Sequence, residues 1–287
     1  MSIVNHAMIA NIQVGVWQGY RLDKEASRKV TEDNNADGDA ARVNKHLVPK
    51  EALKPVNSAA GAVRNHLYAK TLPWKDNGDR LLTRAMYMDF IEEHEKLVAV
   101  FKLAVERFLD HTYPAARDQA EFRMGDLFKG DDYPSVESLR RRFYINLDID
   151  AVTEAGDFRV QMDASELARV REAMEEAMQQ RIGKAMRDVW ERLSTVVGHF
   201  ATRMASDDIF RDTTVSNIED LLDLLPGLNV LDDPDLKAMG DEIRAKLSGH
   251  DPKTLRKQPE VRSQAAKDAQ EIIDRMGSFM SAMGGGQ

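Results

Sequence analysis

The stretch that decides the fold is Asp163–Met204, DASELARVREAMEEAMQQRIGKAMRDVWERLSTVVGHFATRM. Leu167, Val170, Met174, Met178, Ile182, Met186, Trp190, Leu193, Val197, Phe200 and Met204 recur every three or four residues. That is the rhythm of one apolar helix stripe. Asp163 stands three residues before Glu166, a capping-box-like start. The residues between (Arg169, Arg171, Glu172, Glu175, Glu176, Arg187) form a charged, solvated face. Gly183 and Gly198 are tolerated weak points. The spacing predicts a helix of about forty residues, roughly 60 Å long at 1.5 Å per residue.

Upstream, Met86, Phe90, Leu97, Phe101, Val105 and Phe108 predict a second long helix from Thr83 to about Tyr113, ended or kinked by Pro114. A further helix is expected to reach about Phe128, and residues 57–70 predict another. Downstream, SNIEDLLDLLPGLNV reads as a helix capped by Ser216 and stopped at Pro226-Gly227. DPDLKAMGDEIRAKL follows as a helix with Pro234 in its first turn. Residues 251–287 read as a linker, rich in prolines and basic residues, followed by a short amphipathic tail. In that tail Met276, Phe279 and Met280 form a candidate partner surface. Two places change period. Ile12, Val14 and Val16 alternate with polar or small residues, as do Ile145, Leu147 and Ile149, then Phe158, Val160 and Met162. They predict a β-hairpin over 143–162, joined by the first strand in a small three-stranded antiparallel sheet. The polar run at 23–46 reads as a mobile loop, or a short solvated helix followed by a loop. The expected fold is mainly α, an elongated bundle of long helices with a minor β element, with a core over 1–250.

The chain has 287 residues, 48 acidic and 40 basic side chains, a net charge of −8 and no cysteine. The acidic balance argues against a general nucleic-acid-binding surface but leaves room for a local basic groove. Absent cysteines remove disulfides, thiolate zinc sites, iron–sulfur clusters and cysteine nucleophiles together. The start, MSIVNHAMIANIQVGVW, lacks the basic region of a signal peptide, and no apolar run suggests a membrane span. The expectation is a cytoplasmic protein, in the host cytoplasm if phage-encoded, with no membrane partner.

The motifs of phosphate-binding loops, dinucleotide folds, zincins and serine hydrolases do not occur, so no catalytic residue and no cofactor is assigned. His94 sits among Glu92, Glu93 and Glu95, a metal-like set that more often marks a solvated helix face. Asp33, Asn35 and Asp37, followed by Gly38, match the first half of a calcium loop. The match fails at Asn44, where the bidentate glutamate belongs. Asp207, Asp208 and Asp212 are a further compact acidic set, for which helix capping outweighs a metal-dependent hydrolase. Arg140, Arg141 and Arg142 precede Phe143 and Tyr144, a pairing that can hold phosphate and stack bases. The plainer reading is a helix end with arginines near its dipole. Lys70 and Trp74, near the TLPW turn, admit the same two readings.

Several segments resemble an uncharacterised family of bacteriophages and mobile elements. They are Trp17 with Gly19, HLVPKEALKPV, YAKTLPWKDNGDRLL, DLFKGDDYPSVESLRRRF and VSNIEDLLDLLPGLNV, within residues 9–248. The TLPW turn and the DYP turn carry the likeness best. Genes of that family often lie near MoxR-like AAA+ ATPases and von Willebrand A-type proteins. The resemblance implies an AAA+ ATPase as a partner and assigns no catalytic residues. The reading is a non-enzymatic interaction or assembly protein, self-associating or working with such an ATPase. The alternative is a single-stranded-DNA-binding or annealing protein of phage recombination.

Overall fold

The computed structural model describes residues 3–157, 163–206 and 208–284. The fold is mainly α with a minor β component. Strands β1 (Ala7–Gly15), β4 (Leu72–Pro73), β5 (Arg80–Thr83) and β6 (Tyr144–Ala151) form one sheet in the order β4-β5-β1-β6. β2 (Tyr20–Asp23) and β3 (Val43–His46) form an antiparallel pair. The chain divides into two compact units. The first holds residues 1–11, 68–88 and 148–287, and the second 12–67 and 89–147.

In the first unit, α7 (Ala164–Ala205) is the helix expected from the stripe, begun by Asp163, whose carboxylate accepts from Ser165 N. It is joined by α8 (Thr213–Leu228), α9 (Pro234–Leu247), α10 (Pro252–Lys257) and α11 (Pro259–Gly284). α8 runs through Pro226 and ends at Leu228, one residue beyond the expected stop. It begins at Thr213, earlier than the expected cap at Ser216. Gly227 is needed there, because a Cβ would lie 2.5 Å from Met86 Cγ, and its carbonyl accepts Thr83 Oγ1 at 2.7 Å.

Residues 251–284, read above within a linker and a short tail, are mainly helical. They form α10 and a 26-residue α11 that packs along α7. The basic residues that suggested a solvated linker close the end of α7. The Arg262 guanidinium donates to the carbonyls of Arg203 (2.9 Å), Met204 (3.2 Å), Ser206 and Asp208 (2.9 Å). Those groups include last-turn carbonyls that a helix end leaves without partners. Arg256 donates to the Phe210 carbonyl and pairs with Asp212. Both guanidiniums lie over the Phe210 ring, at 5.0 and 5.3 Å. Asp212 precedes α8 without capping it, since its carboxylate goes to Arg256 instead.

The TLPW segment holds the first strand of a hairpin. β4 and β5 pair antiparallel, Leu72 opposite Leu81, and Gly78 takes a φ of +96° in the turn between them. Pro73 has no N–H to donate, which suits its place on an edge strand. Of the expected three-stranded sheet, the first and middle strands stand as β1 and β6. Phe158, Val160 and Met162 fall outside the described residues.

The second unit holds most of α2 (Lys54–Lys70) and of α3 (Tyr87–Arg107), with α1 (Lys24–Asp33), α4 (Tyr113–Asp118), α5 (Ala120–Met124) and α6 (Val136–Arg140). α3 passes into a π turn at Phe108–Thr112, and Pro114 falls in the first turn of α4 instead of stopping the helix. The core centres on Trp17, whose ring meets Tyr113 edge-on at 5.6 Å and Phe108 at 6.1 Å. Gly19, at φ +71°, fits where a Cβ would lie 2.8 Å from Leu53 Cδ1. The polar run at 23–46 holds α1 and β3, so its reading as a short helix followed by a loop stands, the loop being the residues between them.

Replacing Arg262 by alanine removes the donors at the end of α7. Charged hydrogen bonds of this kind contribute about 1.5–3 kcal/mol, so R262A is expected to destabilise the chain by about 2 kcal/mol in urea denaturation. An unchanged midpoint would contradict this role.

Candidate functional site

The second unit buries a charged cluster drawn from three separate segments. Lys45 of β3 and Asp23, at the start of α1, have side chains only 4% and 6% exposed, and Asp132 of the DYP turn is 9% exposed. Lys45 Nζ donates to Asp23 at 3.0 Å, to Asp132, and to the Leu127 carbonyl at 3.2 Å. These occupy all three of its N–H donors. Arg21 reaches Asp132 at 3.1 Å from the more exposed side. Asp23 also caps α1, accepting from Glu25 N and Ala26 N. Burial pulls the Lys45 ammonium down, but its hydrogen bonds to Asp132 and Asp23 outweigh that and hold it above the ordinary lysine value. The Ala26 N–H, then Lys45, hold Asp23 below the ordinary carboxylate value. A lysine with every donor engaged is not available as a base or nucleophile, so the cluster fastens β3, α1 and the DYP turn together.

The signs follow. Asp23 contributes stability above its ordinary value of 3.8, which is lost as pH falls through its depressed folded value. Lys45 contributes stability below 10.5, which is lost as pH rises through its raised folded value. Lys45→Met leaves two buried carboxylates without their ammonium. Breaking such a set typically costs about 3–5 kcal/mol, and a chemical denaturation midpoint shifted to match is the expected result.

The candidate nucleic-acid residues fall in different units. Arg140, Arg141, Arg142 and Tyr144 belong to the second unit, Lys70 and Trp74 to the first. Arg140 pairs with Glu106 and lies 3.9 Å from Asp110. Arg141 and Arg142 are exposed. The half-exposed Tyr144 ring covers Gly15, where a Cβ would meet it at 2.2 Å. Lys70 is half-buried at the end of α2. Trp74 is 3% exposed, with Arg181 over its ring at 6.0 Å, which makes it a core lid rather than a stacking platform. Arg80, beside the turn, donates to Thr71 Oγ1 at 2.7 Å and lies over Tyr68.

The acidic and histidine sets also have local explanations. Asn35 adopts a left-handed φ of +49°, with Asn35 N on Glu32 O and Ala36 N on Thr31 O. That double bond pattern is the Schellman stop of α1, with asparagine where glycine is usual. Asp33 and Asp37 flank this stop. No group of three or more His, Asp or Glu side chains placed to hold a metal occurs among the described residues. His94 points inward, 6% exposed, its ring 5.7 Å from Phe90, which in turn stacks on His66 at 4.9 Å. Burial, then the neighbouring His66, lowers its pKa. The unfolded chain therefore binds a proton below about pH 6.5 that the folded chain resists. Stability falls on acidification there, by at most about 1.4 kcal/mol per pH unit. H94L is expected to flatten that slope in urea titrations between pH 7 and 5, and an unaltered slope would refute the assignment.

The feature with functional promise is α7 itself. The last six stripe residues, Met186 to Met204, are all buried. The first five, Leu167, Val170, Met174, Met178 and Ile182, are only half-buried, and the first buried residue of the helix is Ala185. The boundary follows from α11. Arg262 lies at the end of α7 and Phe279 stacks on Trp190 at 5.3 Å, so α11 runs back along α7. At about 1.5 Å per residue, its last turn reaches roughly the level of Ala185 and stops. Met276 is fully buried and the half-buried Phe279 stacks on Trp190, which corrects the reading of Met276 as part of a free partner tail. Met280 is half-buried. The tail had α7 to bury against. The half-buried face belongs to residues 164–184, where four acidic and four basic side chains are interspersed with the stripe.

No protein-family model, curated protein or solved structure matches the chain. No helix among the described residues is long and apolar enough to cross a membrane.

Proposed function

We propose that the chain is a non-enzymatic interaction or assembly protein of a phage or mobile element, and that it presents the first half of α7 to other protein subunits. One observation carries the reading: a single apolar stripe is buried along residues 185–204 and left half-covered along 164–184. Contiguous apolar surface rimmed by charge is characteristic of protein contacts. The motif residues support it as well. Trp17, Gly19, Trp74 and Asp132 each serve packing or an internal ion pair. The partner implied by the resemblance is an AAA+ ATPase of the MoxR type, and a second copy of the chain is the other candidate.

Single-stranded DNA binding has less support. Arg140 is paired with carboxylates and Trp74 is buried, so neither offers what phosphate or base would require.

The test places a photo-crosslinking residue at Met174 and, as a control, at exposed Arg28 on α1, in cells of the natural host. Crosslinks to protein from Met174 alone, lost in a chain also carrying L167E, are expected. Absence of protein crosslinks together with salt-sensitive oligonucleotide binding by the purified chain would replace this reading with the DNA one.

A further inference from the structure

We infer that the open groove between the end of α7 and α10–α11 is a docking site for an acidic amphipathic helix of a partner protein. The inference rests on the interaction reading but uses a different surface. The groove has a volume of about 1090 Å³, at or above the roughly 300–1,000 Å³ of a small-molecule pocket. Its floor is made of small residues: Gly198, Ala201 and Ala205 on α7, and Ala266 on α11. Such residues let another helix approach closely. The lining runs on α11 from Pro259 to Ile273, about 21 Å of helix at 1.5 Å per residue. An occupant of about four turns matches that length. Both walls are helices whose backbone groups are already bonded, so the groove has no strand edge for an extended peptide to join.

Charge selects the partner. Among the described residues, the charged side chains that line the groove, Arg256, Arg262 and Lys267, are all basic, in a chain of net charge −8. Asp212 offsets Arg256. Arg262 is bonded to main-chain carbonyls, which engage its donors without neutralising its charge. Lys267 is exposed at the rim. A helix with leucine-like anchors on one face and carboxylates on the other complements this lining. A nucleic acid fits less well, because among the described residues no aromatic ring lines the groove to stack a base and the Arg262 donors are already engaged.

The probe is a fluorescein-labelled sixteen-residue peptide, leucines at i, i+3, i+4 and i+7 on a glutamate background, titrated with the whole chain. Saturable one-to-one binding is expected, weakening as salt is raised. K267E, which reverses a rim charge, and S263W, which fills the groove from an exposed position, are each expected to weaken it by at least about fivefold. Unchanged melting temperatures will show that both variants fold. No saturable binding, equal affinity for both variants, or equal binding of a leucine–lysine peptide overturns the proposal. Displacement by oligothymidylate at lower concentration than by unlabelled peptide would make the groove a phosphate site and overturn it too. L167E/M174E is expected to leave peptide binding intact, so failure at the groove and failure at the α7 face are separable.

Discussion

The packing of α11 along α7 is the interaction on which the rest of the first unit depends. A 42-residue helix cannot hold itself in water by propensity alone, and most helix stability in proteins comes from burying an amphipathic face. Here α11 supplies that burial with Ala265, Ala269, Ile272 and Met276, all at most 1% exposed, and with Phe279 on Trp190. α9 closes over α11 through Glu242, which pairs with both Lys246 and Arg275. Arg262 then fixes where α7 ends. The same geometry fixes where α7 stops being covered, and so determines which five stripe residues remain half-exposed.

The second unit rests on a different constraint. Its aromatic core around Trp17 is ordinary apolar packing, but the strand pair and the DYP turn are joined to it by polar ties. Lys45 holds Asp23 and Asp132, Arg123 donates to the carbonyls of His46 and Leu47, and Tyr113 Oη donates to the Pro134 carbonyl at 2.6 Å. A buried ion cluster of this sort is costly to break and contributes little over an apolar one. Its value is geometric, setting the register between a short strand and a distant turn.

The long helices were legible because periodicity is a local property: eleven apolar positions at regular spacing and an aspartate in front define α7 without reference to anything else. What was not legible depends on distant partners. Arg256 and Arg262 looked like linker charges because their partners lie 44 to 59 residues away. β2 and β3 were hidden by polar composition, and the inward lysine that holds them has its carboxylates on two other segments. β4 and β5 are too short, two and four residues, to show alternation. His94 departs from the solvated face that its three neighbouring glutamates suggested, because helical geometry turns the imidazole inward and leaves Glu92 and Glu93 to pair with Lys96. The uncovered half of α7 was visible as a stripe, but its exposure could be known only once the extent of α11 was.

The central claim is that α7 is one helix with two environments. Hydrogen exchange reads this residue by residue, because protection follows local burial and packing. In the isolated chain, at a concentration where sedimentation shows a monomer, amides of 185–204 are expected to exchange far more slowly than those of 164–184. Uniform strong protection along the whole of α7 would mean that its first half is already covered within the chain, and would contradict the account.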